Sequence, residues 1–232
     1  MKKAVLTLLV LLAALWGLWT LSKAREVQLF GDLVARGPAD APLVALTFDD
    51  GPTEAFTPEI LAILAEKDVT ATFFVTGREA EEAPEALRAL VAAGHEIGNH
   101  SYSHRRMVLM PPAAVRSELD RTDAAIRAAG YAGDIHFRPP YGKKLVVLPW
   151  VLSRQGRLTV MWDVETDSQL ADPTVAQLVE ATVAEAGPGS IILLHAMYYT
   201  REVTRAALGP IIDGLRAKGL EPVGVSALLG SR

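Results

Sequence analysis

The chain of 232 residues contains no cysteine. That excludes disulfides and thiolate metal sites, so any metal here must use His and carboxylate ligands. A basic excess is also missing: the formal net charge is -4 and the sequence pI about 5.8. Beyond the N-terminus no Lys/Arg cluster has aromatics interleaved with it, which argues against nucleic acid as a partner. Neither an internal repeat nor a low-complexity segment is found, and a long apolar run occurs once.

That run, "AVLTLLVLLAALWGLWTL" over residues 4–21, follows Lys2 and Lys3 and is closed by Lys23 and Arg25. As a helix it rises about 27 Å, close to the thickness of a bilayer core. It is longer than the apolar region of roughly 7 to 15 residues usual in a cleaved secretory signal. Residues 1–24 are therefore expected to be an uncleaved membrane anchor with Lys2 and Lys3 on the cytoplasmic side and the body exported. The rival is secretion after cleavage, because Ser22 and Ala24 form a small-x-small pattern. Residues 25–41, with "RGPADAP", read as a linker, and residues 42–229 as one domain.

Within the body, β-rich runs alternate with amphipathic stretches. Seven strand candidates are "LVALTF" (43–48), "VTATFFVT" (69–76), "HEIGN" (95–99), "IHFR" (135–138), "LTVMWDV" (158–164), "SIILLH" (190–195) and "EPVGVS" (221–226). Helix starts are signalled by Thr57 before Pro58, Pro84, Pro112, Asp172 before Pro173, and Glu202. Strict succession predicts an α/β fold with a mainly parallel sheet, either closed as a barrel or open and doubly wound. In both, chemistry collects beyond the carboxyl ends of the strands.

Polar residues cluster at those ends. Asp49 and Asp50 close the first run in "TFDDGP", where Gly51 and Pro52 turn the chain and free both carboxylates to converge. His100 and His104 follow the third run in "GNHSYSHRR", Arg138 and Tyr141 the fourth in "FRPPYG", Asp163, Glu165 and Asp167 the fifth, and His195 ends the sixth. Asp50, His100 and His104 form a set of two His and one carboxylate suited to Zn²⁺ or a similar divalent ion. A second carboxylate, Asp49, can then act as a base on water that such an ion acidifies, oriented by a fork of hydrogen bonds from Arg138. His195 can protonate a leaving group, whereas His95 and His136 lie inside strand candidates and read as structural. The segments 141–150 and 195–203 are candidate rims, where Trp150, Tyr198 and Tyr199 can stack on sugar rings or pack.

In this order and spacing, "TFDDGP", "HSYSH", "RPPYG" and "IILLH" resemble the motifs of NodB-type polysaccharide deacetylases, carbohydrate esterase family 4, over about residues 42–229. The resemblance implies a distorted (β/α) barrel of about seven parallel strands. It implies Asp49 as general base, Asp50, His100 and His104 as metal ligands, Arg138 as the partner of Asp49, and His195 as general acid. It further implies that the Tyr141 amide binds an oxyanion and that Leu193 lines the acetyl pocket. The expected cofactor is Zn²⁺, with Co²⁺ or Ni²⁺ as alternatives, and the expected partner an acetylated glycan outside the cytoplasm. One motif departs: Ser168 and Gln169 stand where the family has an Asp-Trp pair, so Asp167 or Glu165 is expected to replace the Asp beside His195. Ala196, where many relatives have Asp, points to a divergent branch with a different substrate. O-acetyl esterase activity, another C–N hydrolysis, or glycan binding without catalysis are the alternative readings.

Overall fold

Strand and helix alternate along residues 2–230, the part of the chain that the computed structural model describes. Met1, the first residue of the expected anchor, lies outside the described residues. Helix α1 (Lys2–Ser22) is apolar all round: residues 5–22 have a mean hydropathy of 2.1 and only 6% of them are buried. It is long and apolar enough to cross a membrane.

The strands are β1 (Leu33–Val34), β2 (Leu43–Asp49), β3 (Thr72–Val75), β4 (Glu96–Asn99), β5 (Thr159–Val160), β6 (Ile191–His195) and β7 (Glu221–Val223). Between and around them run α2 (Thr57–Glu66), α3 (Gly77–Glu82), α4 (Pro84–Ala92), α5 (Pro112–Ala128), α6 (Val147–Arg154), α7 (Thr166–Gln169), α8 (Val175–Glu185), α9 (Glu202–Ala217) and α10 (Val225–Leu228). Every pair of named strands that hydrogen-bonds does so in parallel. The order β4-β3-β2-β6 forms one wall, with β7 on the first half of β2 and β3 on its second half. Single bridges continue the circle: Asn99 to Phe137, Phe137 to Thr159, and Val164 to Ile192. The result is a parallel α/β barrel whose ring is closed in places by one residue, the distorted form anticipated.

Alternation along β2 divides the core. Val44, Leu46 and Phe48 point outward into the main cluster beneath the helices, while Ala45 joins Phe74, Met161, Trp162 and Leu193 in a second cluster. The outward face is covered by α2, α8 and α9, whose Ile60, Leu64, Leu178 and Ile211 are fully buried.

Two expectations are corrected. Residues 135–138 do not make a strand: Phe137 alone bridges, because Pro139 and Pro140 follow and have no N–H for a ladder. The α8 cap is Thr174, which forms a reciprocal capping box with Gln177, while Asp172 sits outside at φ 49°. Within the expected linker, 25–41, Leu33 and Val34 pair with Thr159 and Val160, and the Gly37 amide donates to Gly189 O at 2.7 Å. Its Pro and Gly content marks turns here, not slack chain.

Gly189 shows how tightly that stretch is seated. Its φ is 85°, and a Cβ would lie 2.5 Å from Gly37 O and 2.7 Å from Pro38 O. Gly189→Ala is expected to destabilise the fold by about 1–3 kcal/mol, read as a lower urea midpoint with unchanged slope.

Candidate active site

Two adjacent carboxylates normally face opposite sides of a sheet. Asp49 is the last residue of β2 and follows Ala45 and Thr47 onto the inner face. Asp50 then takes φ 73° and Gly51 φ 71°, which swings the second carboxylate to the same side. Backbone partners hold this turn, with Asp50 N donating to Phe74 O at 3.1 Å and Gly51 N to Glu79 Oε2 at 2.7 Å.

His100 and His104 lie in the loop after β4, not on a helix. Ser101 and His104 adopt left-handed φ of 66° and 54°, and the Ser101 hydroxyl accepts the His104 amide at 3.1 Å. Glu118 of α5 stitches the loop by accepting from Tyr102 N, Ser103 N and the Ser103 hydroxyl. His100 Nδ1 lies 2.8 Å from Arg138 O, a carbonyl that can only accept, so Nε2 keeps its lone pair. That Nε2 is 4.0 Å from Asp50 Oδ1, and His104 Nε2 is 3.5 Å from the same oxygen. One ligand atom from each of Asp50, His100 and His104 falls within 4.8 Å of the other two.

The electrostatics fit a cation at this point. Asp50 Oδ1 is buried without any hydrogen-bond partner. Burial, and then the charge of Asp49, push the Asp50 carboxyl up to about 7. Burial also lowers His100 to about 4 and lowers His104, leaving both imidazoles neutral at pH 7. Neutral imidazoles beside a carboxylate that lacks a partner are the donor set a divalent ion satisfies.

Asp49 has the opposite setting. Burial opposes its ionisation, but the charge of Arg138 foremost, with that of His195 and the hydrogen bond from Arg138, holds its carboxyl below the ordinary range. Arg138 is fully buried, and its Nη1 reaches Asp49 Oδ1 at 2.7 Å and Thr47 Oγ1 at 2.9 Å. The expected fork is a single bond, because Nε and Nη2 instead donate to Val160 O and Met161 O, both at 3.2 Å.

His195 sits beside Asp49 in the sheet register. Of the two carboxylates expected near it, Asp167 is the one present. Asp167 Oδ2 accepts His195 N at 2.6 Å, and both its oxygens lie 3.4 Å from Nδ1. Glu165 is taken up elsewhere, by Arg25 at 2.6 Å and by Trp162 Nε1 at 2.7 Å. Asp163 binds Ile191 N and Arg36. Burial would lower His195, but the bond from Asp167 and the charges of Asp167, Asp49 and Asp50 raise it above its usual value. A cleft of about 830 Å³ opens over these groups, with Leu193 and Tyr141 in its wall.

Residues 36–159 match the polysaccharide deacetylase family. The chain belongs to that family. It is 37% identical over 199 residues to a chitooligosaccharide deacetylase of Sinorhizobium fredii (strain NBRC 101917 / NGR234), covering 80% of this chain and 91% of that one. Among solved structures, a peptidoglycan N-acetylglucosamine deacetylase superposes with a TM-score of 0.80 at 33% identity, over 86% of this chain and 94% of that one. A family 4 carbohydrate esterase from Streptomyces lividans gives 0.73 at 35%, over 84% and 97%. The chain is thus a carbohydrate esterase family 4 hydrolase of the polysaccharide deacetylase type.

Several parts of this deacetylase's site carry no motif. Glu79 and Glu118 act only through hydrogen bonds between elements distant in sequence, and a single sequence offers no signal for them. His95 and His136 lie away from the cluster: His95 Nδ1 accepts from Ala71 N, and His136 faces Glu96 and Ser226. Tyr198 donates to Glu79, while Tyr199 is 83% exposed with its ring edge on Phe56.

The assignment of Asp167 is checked without any assay of turnover. Asp167→Asn removes the charge that raises His195, so its imidazole should titrate at lower pH, followed by NMR in the presence and absence of the substitution.

Proposed function

We propose that this deacetylase hydrolyses the acetamide of an N-acetylated glycan of peptidoglycan or chitin type, outside the cytoplasm, and that it works with a divalent metal. The observation that carries the reading is the convergence of Asp50, His100 and His104 on one point between the Asp49–Arg138 pair and the His195–Asp167 pair. Asp50, His100 and His104 would hold the ion, with Zn²⁺ favoured and Co²⁺ or Ni²⁺ as alternatives. When bound, such an ion acidifies water and polarises the acetyl carbonyl.

The chain's own groups supply the proton transfers. Asp49, kept ionised by Arg138, accepts the proton of the water that attacks the acetyl carbon. The Tyr141 amide, in a turn where Tyr141 takes φ 58° and ψ 15°, donates to the developing oxyanion, and Leu193 bounds the space for the methyl group. His195, holding its proton with the help of Asp167, gives it to the nitrogen as the C–N bond breaks. The products are acetate and an amino sugar.

Residues 1–24 are assigned to an anchor and 42–229 to the deacetylase domain, the segment between them being a seated connection. Buried Lys144 favours an uncleaved anchor. Its amide donates to Ser22 O at 2.9 Å and its ammonium to Ala24 O, while burial lowers its pKa to about 8. Cleavage after Ala24 would strip one acceptor from the backbone amide and one from the ammonium of a residue that is 1% exposed.

Asp49→Asn should retain the metal and lower kcat for acetate release by roughly 10²–10⁴-fold. Acetate is measured from acetylated chitooligosaccharide and from peptidoglycan, with metal content by elemental analysis. Turnover close to that of the parent enzyme would remove Asp49 from the mechanism, and acetate release indifferent to chelator would remove the metal.

A further inference from the structure

The cleft is not walled by the barrel alone. Thr20, Lys23, Ala24 and Arg25, from the end of α1 and the turn after it, line it together with Asp50 and His104. Arg25 stacks on Trp162 at 4.7 Å while pairing with Glu165, so this wall is fixed to the fifth strand's loop. The segment that leaves the apolar helix is therefore part of the site.

Three cations gather on that side. The ammonium groups of Lys23 and Lys143 lie 6.0 and 4.1 Å from the centroid of the same Trp19 ring. The Arg106 guanidinium sits 4.9 Å from the ring of Tyr141, itself a wall of the cleft. Burial, and then the charges of Lys23 and Arg106, lower Lys143, which places Lys143 near both. Among the described residues none of them has a salt bridge or a side-chain hydrogen bond. Like charges left together without a carboxylate focus a positive potential on the mouth of the cleft.

The depth of this rim follows from the helix. Trp16 and Trp19 are 70% and 58% exposed in the last turns of α1, the level at which tryptophans sit at a membrane boundary, and Lys23 is one turn further out. Phe30, Val146 and Trp150 are also exposed, and Gly31 abuts Ser153 of α6. Lys144 pins Ser22 and Ala24, so no slack chain separates bilayer from cleft. A cleft held there reaches sugars carried by the membrane itself.

We propose that Lys23, Lys143 and Arg106 form a subsite for the phosphate groups that join an acetylated sugar to a membrane lipid, the sugar's acetamide reaching Asp49 and Asp50 on the cleft floor. Ammonium and guanidinium groups are the chemistry that recognises phosphate. The inference rests on the anchored deacetylase reading above and adds the form in which its substrate is presented.

The test uses the full chain in nanodiscs of phosphatidylcholine. Acetate release from farnesyl-diphospho-N-acetylglucosamine is compared with release from acetylated chitotriose, and binding of the former is titrated separately with chelator present. The diphosphate substrate should be preferred by about tenfold or more in kcat/KM, and Lys23→Gln/Lys143→Gln/Arg106→Gln should lower that preference by a similar factor through KM, with binding weakened in parallel. Arg106→Gln alone, at an exposed position, gives the same direction if the triple variant folds poorly. No preference in the parent enzyme, an equal loss on both substrates, or displacement of the probe by phosphatidylglycerol vesicles would overturn the subsite. Failure of both sugars to release acetate would instead sink the deacetylase reading, and the binding titration would still decide the subsite.

Discussion

A buried ion pair organises this molecule. Arg138 is sealed from solvent, and its guanidinium touches Asp49 and Thr47 on β2 and the carbonyls of Val160 and Met161 at the end of β5. Its own carbonyl meanwhile lies against His100. Burying a charge this completely is tolerable only when each donor finds an acceptor, and the barrel supplies them from two sides. The ring of strands closes through Phe137, immediately before Arg138, so the pair sits at a seam. The backbone bonds that close the barrel and the side-chain bonds that fix the carboxylate start from adjacent residues, Phe137 and Arg138.

Electrostatic contrast between neighbours follows from that arrangement. Asp49 and Asp50 are adjacent in sequence and both buried, yet Asp49 is held ionised by Arg138 while for Asp50 burial and the like charge of Asp49 outweigh the pull of His195 and Arg201. Two carboxylates with separated proton affinities can take separate roles. The same logic sets the imidazoles apart, since His100 is driven neutral by burial and His195 is raised by Asp167.

Much of this could be read from the sequence, for identifiable reasons. Alternation in "LVALTFD" and the stop at Gly51 placed the strand and the paired acids, because both depend on local backbone rules. The succession of strands and helices gave the fold class. What stayed hidden depends on distance along the chain. Residue types allowed both Asp167 and Glu165 near His195, and only the claim of Arg25 and Trp162 on Glu165 separates them. Leu33 and Val34 are too short a run to signal a strand, and their pairing exists because β5 leaves an edge open. The rim cations come from three segments far apart in sequence, each with two basic residues, and only the fold brings them to one side of the cleft.

The hold of Lys144 on Ser22 and Ala24 bears on how the enzyme can be handled at the bench. Trimming the hydrophobic leader to obtain a water-soluble version also discards one bank of the catalytic cleft and orphans an interior ammonium. Kinetics gathered on such a shortened protein would describe a site with a missing side.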